Sequence, residues 1–125
     1  MNYKLLLRHL GGTAKYKGHA YLLTALNMVQ EDPELLHLVT KRLYPEIARM
    51  YNSTSDDVEL CIRRLIGVMW RTNQPLMDVL MGYPSRKQPS NATFLAAMTT
   101  LPQEYQDMLM EHDHFSEEHS LPGLV

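Results

Sequence analysis

The apolar positions of this chain fall repeatedly at the three- and four-residue spacing of a helix face, and no segment alternates in the manner of a strand. Tyr3 to Leu10 predicts a short helix stopped by Gly11-Gly12. Lys17 to Gln30 predicts a second, with Tyr21, Leu22, Ala25, Leu26 and Val29 along one side. Asp32-Pro33 ends it and opens a third from Glu34 to Arg42, since Asp caps a helix and Pro fits its first turn. Pro45 sets a boundary near Leu43. Farther on, Pro75 to Met81 reads as a helix ended by Gly82, Asn91 caps one from Phe94 to Leu101, and Pro102 opens a last one from Gln103 to Glu111. The end of the chain, HDHFSEEHSLPGLV, has the polar, acidic composition of a disordered tail.

Between these lies the stretch from Leu43 to Asn73, which predicts a short helix, a tight turn and a longer helix. Ala48 is small enough for a second helix to approach, and Asn52 stands where the turn needs a left-handed backbone. Thr54 offers an N-cap hydroxyl, with Asp57 three residues on as its capping-box partner. This is the pattern of a helix-turn-helix, whose second helix enters the DNA major groove. Rotated at about 100° per residue, that helix gathers Val58, Cys61, Ile62, Leu65, Ile66, Val68 and Met69 into a core arc. The opposite face carries Asp56, Leu60, Arg63, Arg64, Gly67 and Arg71, with Asp57, Glu59 and Trp70 at its margins. Three arginines beside a glycine suit nucleic acid, and they also suit a plain solvated face. Leu60 fits neither surface well.

Composition then narrows the class. At 125 residues the chain suits one domain with its own core. Its single cysteine, Cys61, excludes a disulfide framework, and its place on the core face argues against a catalytic thiol. No apolar run approaches the roughly 20 residues of a membrane span, and the N-terminus is too charged for a secretory signal. The net charge of -2 conceals an asymmetry: all twelve Lys and Arg lie between Lys4 and Lys87 against eight acids, which leaves +4 through Asn91. The six remaining acids all follow. A basic body with an acidic end fits a nucleic-acid binder better than the total suggests. Arg86 and Lys87 add two cations in the loop PSRKQPS, where phosphate contacts beside a docked helix are common. No phosphate-cradling glycine loop, catalytic triad or cofactor motif is present, and no enzyme is expected. His112, His114 and His119 lie among acids but without the anchors of an ordered metal site.

From Gly12 to Ala97 the chain resembles the C-terminal effector domain of the stage-zero sporulation response regulator. The likeness runs in order through KGHAYLLTAL, DPELL, VTKRLYPEIARMYN, VELCIRRLIGVMW, LMGY and PSNATFLA. It implies an all-α fold of about six helices around the helix-turn-helix, of the winged-helix-like response-regulator effector class without a clear wing. The effector domain is expected over residues 1–101, with an acidic helix and tail over 102–125. The resemblance also implies a cytoplasmic, nucleoid-associated regulator of transcription that binds double-stranded DNA without a cofactor. RNA polymerase and a second copy on tandem sites are its further candidate partners. The family's phosphoacceptor domain has no counterpart in this sequence.

The recognition helix is expected over about residues 55–72, with Glu59, Leu60, Arg63 and Arg64 reading bases. Lys41, Arg49, Ser55, Arg71, Arg86 and Lys87 are the expected phosphate contacts. In the family pattern arginines stand where Asp57 and Leu60 stand here, and a histidine where Arg64 stands. These departures leave a rival reading, in which a degenerate helix-turn-helix binds a protein partner through Leu60 and the acids and so modulates a sporulation regulator.

Overall fold

The computed structural model describes the backbone of residues 1–119 and the side chains of residues 1–111. Disorder expected for residues 120–125, and the side chains of the tail histidines, lie outside that range. Seven α-helices and no strand occur among the described residues. The first two are α1 (Tyr3–Leu10) and α2 (Gly18–Glu31). After two tight turns follow α3 (Tyr44–Met50), α4 (Ser55–Thr72) and α5 (Gln74–Met81). The last are α6 (Asn91–Met98) and α7 (Gln103–His119). None is long and apolar enough to cross a membrane.

Helix α4 is the spine. It packs against α1, α2, α3, α5 and α6, and Val58, Ile62, Leu65, Ile66 and Met69 on its inner face are at most 2% exposed. Leu22, Leu26, Ile47 and Phe94 close around them from α2, α3 and α6. Gly18 is what lets α2 come so near: a Cβ there would stand 2.3 Å from the Cys61 carbonyl oxygen of α4. The two halves of the helix-turn-helix, α3 and α4, join through Asn52, whose φ of 52° is the left-handed turn expected of it.

Three elements depart from expectation, each for a local reason. The helix foreseen from Glu34 to Arg42 is instead a 3-10 turn, Pro33–His37, followed by a π turn, Val39–Leu43. Leu38 between them leaves helical geometry (φ -132°, ψ 32°), and the Leu43 amide donates five residues back to the Leu38 carbonyl at 3.0 Å. A continuous helix would set Leu43 about 80° round from Leu35. The break resets the phase, so that both Leu35 and Leu43 are buried.

Helix α6 begins and ends three residues early. Ser90 is its cap, accepting from the Thr93 amide at 3.2 Å. Asn91 turns inward instead, and its Nδ2 donates to the Tyr44 hydroxyl at 2.9 Å and the Glu59 carbonyl at 3.2 Å. At the far end the Thr99 and Thr100 hydroxyls bond back to the carbonyls of Leu95 and Ala96, both at 2.7 Å, and Pro102 keeps Leu101 out of the helix.

Helix α7 runs to His119, past the expected end at Glu111, so residues 112–119 are helical rather than disordered. It is fastened beside α1 by Leu109, which is buried.

Candidate nucleic-acid interface

The N-terminus of α4 is built as foreseen at Thr54, whose extended backbone (φ -120°, ψ 155°) lets its hydroxyl accept from the Asp57 amide at 3.1 Å. The other half of the expected capping box is replaced by bonds to the turn and to α2. The Asp57 carboxylate accepts from Ser53 Oγ at 2.8 Å, from Tyr21 Oη at 3.1 Å and from Lys17 Nζ at 3.1 Å. Asp57 therefore faces α2 and the turn instead of the margin of the outward face. The Ser53 hydroxyl first, and then Lys17, hold its carboxyl down at about 2. The same contact raises Lys17 above the usual lysine value. Burial pushes the neighbouring Cys61 thiol up, which keeps it protonated and unreactive.

One turn farther, Glu59 and Arg63 form an ion pair of 3.0 Å on the outer surface. It contributes little to stability, but it gives the arginine fork a defined direction. Leu60 is half-buried, and Arg64 and Arg71 are exposed. Gly67, expected on the open face, is buried, while Val68, expected in the core arc, is half-buried. The burial of Gly67 has a local cause. The loop from Pro84 to Pro89 folds across the C-terminal half of this face, and Gln88 Nε2 donates to the Arg63 carbonyl at 3.0 Å.

Between loop and helix runs an open groove of about 660 Å³ lined by Arg63, Arg64, Gly67, Val68, Arg71, Lys87, Gln88, Pro89 and Ser90. It brings together four of the cations singled out from the sequence. Among the described residues, Arg64, Arg71 and Lys87 enter no ion pair, so their charge is uncompensated at close range. Arg86 lines an adjoining hollow with Tyr83 and Thr93. The remaining positions lie apart from the groove. Ser55 opens α4 and is half-buried, Lys41 is exposed on the π turn, and Arg49 is paired with Glu46 within α3. Among the described residues no three His, Cys, Asp or Glu side chains come close enough to hold a metal.

Several parts of the site have no local signal in the sequence. Ser85 is buried and accepts from Trp70 Nε1 at 3.2 Å, while its own hydroxyl donates to Asp78 Oδ1 at 2.9 Å. Lys17 reaches Asp57 across forty positions. Only the tertiary fold makes such partners neighbours.

A family model described as "Sporulation initiation factor Spo0A C terminal" matches residues 4–101. That span holds the whole helix-turn-helix and every residue lining the groove, and it stops before α7. The family is one of DNA-binding transcription-factor domains and not of enzymes. With an all-helical fold built around a helix-turn-helix, and a match over most of its length, this chain belongs to the family of the C-terminal domain of sporulation initiation factor Spo0A.

Proposed function

We propose that this domain is a sequence-specific regulator of transcription that binds double-stranded DNA through α4. The observation that carries this reading is the groove of uncompensated cations on the outer side of the second helix of a helix-turn-helix. Glu59, Leu60, Arg63 and Arg64 occupy the N-terminal half of the outward stripe, the part of a recognition helix that reaches base edges. Glutamate accepts from cytosine N4, and arginine donates to guanine O6 and N7. Arg71, Arg86 and Lys87 take the phosphates beside the inserted helix, and Lys41, Arg49 and Ser55 take further phosphates away from the groove. The protein then acts in the cytoplasm on the nucleoid, with RNA polymerase and a second copy on a tandem site as its partners.

Titration of the full chain with random duplex and with duplex carrying the family's box, across salt, tests this. Three phosphate contacts, from Arg71, Arg86 and Lys87, predict a slope of roughly -2.7 in log K against log salt, about fortyfold weakening between 50 and 200 mM. Preference for the box over random duplex is the expected sign of specificity. A flat salt response, or no complex at micromolar protein and low salt, would reject the reading and favour a protein-binding helix-turn-helix.

A further inference from the structure

The loop from Pro84 to Pro89 is tied down at both ends. Near its start, Ser85 is buried: its hydroxyl links Trp70 of α4 to Asp78 of α5, its amide donates to Asp78 Oδ1 at 3.0 Å, and its carbonyl accepts from Gln74 Nε2 at 3.0 Å. Near its end, Gln88 reaches the Arg63 carbonyl of α4 and Pro89 is buried. Between these anchors only Arg86 and Lys87 are left, both exposed and both cationic. The second anchor depends on a missing side chain. A Cβ on Gly67 would stand 2.7 Å from Gln88 Oε1 and 3.2 Å from Arg71 Nη1.

We propose that this loop is a fixed second arm of the nucleic-acid interface, in which Gln88 is a positioning residue and a backbone phosphate is held between Arg71 and Lys87. The inference rests on the DNA-binding reading and adds to it. A free loop lysine contributes diffuse attraction, whereas a lysine set in place by Gln88 against Arg71 offers a pocket for a single monoanionic backbone phosphate. Gly67 and Gln88 carry no charge, so a change in the salt slope on replacing them reports the position of the cations they hold.

The test compares the full chain with Lys87→Gln, Gln88→Ala and Gly67→Ala, measuring duplex affinity against salt and thermal stability together. Lys87→Gln is expected to reduce the magnitude of the salt slope by about 0.9, one phosphate fewer. Gln88→Ala, with unchanged charge, is expected to reduce it nearly as much, and the double variant no more than Lys87→Gln alone. Gly67→Ala separates positioning from folding. It improves helix propensity while displacing Gln88, so Tm should hold or rise as affinity falls. Wild-type slope and affinity in both Gln88→Ala and Gly67→Ala would overturn the proposal, as would an unaltered slope in Lys87→Gln. Absence of duplex binding by the unaltered chain would overturn the DNA reading itself, and this inference with it.

Discussion

At the scale of single residues, Asp57 shows how a position changes meaning once its partners are known. The sequence sets it at the margin of the outward face, where the family pattern has an arginine. Its carboxylate is instead engaged by Ser53, Tyr21 and Lys17, so it locks the start of α4 to α2. A carboxyl held near 2 against an ordinary 3.8 binds fewer protons in the folded than in the unfolded state across that interval. Its stabilisation is therefore complete above about pH 4 and fades as pH falls toward 2. Asp57→Asn should lower Tm at pH 7, and melts at successive pH should show the deficit closing between about pH 4 and 2. A deficit independent of pH would show that the charge on Asp57 does not act in the folded state. The N-cap at Thr54 and the left-handed turn at Asn52 were legible because they depend on residues within one turn of each other. Tyr21 and Lys17 as partners of Asp57 were not, because they lie 36 and 40 positions away.

At the scale of elements, the helices that announce themselves in the sequence are those with a single uninterrupted apolar stripe. Helices α1, α2, α4 and α5 begin and end within about a residue of expectation. The segment from Pro33 to Leu43 failed because its apolar positions are out of phase, and a change of phase is settled by the core it must meet. The same holds at Gly67, where the loop, not the helix, decides which face is open. Contact between α2 and α4 gives a sharper expectation. Since a Cβ on Gly18 would run into backbone, at 2.3 Å from the Cys61 oxygen, Gly18→Ala must push the two helices apart. Overpacking of this kind costs about 1–3 kcal/mol. A denaturant midpoint that falls with an unchanged slope would bear this out, and an unchanged midpoint would mean that the contact yields freely.

At the scale of the whole molecule, charge is divided along the chain: a basic body within the family span, and an acidic end beyond it. The stretch from Glu111 to Val125 holds four acids and no Lys or Arg. Its removal leaves Leu109 in the core, so the shortened protein should melt within a few degrees of the full chain. It should bind duplex DNA more tightly at low salt, with the advantage shrinking toward 0.2 M as the screening length falls below about 8 Å. Equal affinities at low salt would reject the electrostatic role. The spine brings a different consequence. The helix offered to DNA is also the one against which five others are packed, so it cannot tilt or slide to suit a sequence without disturbing the core. On the DNA-binding reading, the duplex must do the bending. Base pairs that no side chain touches would then influence affinity through how readily they kink or narrow the groove, and the preferred site would extend past the reach of Glu59, Arg63 and Arg64.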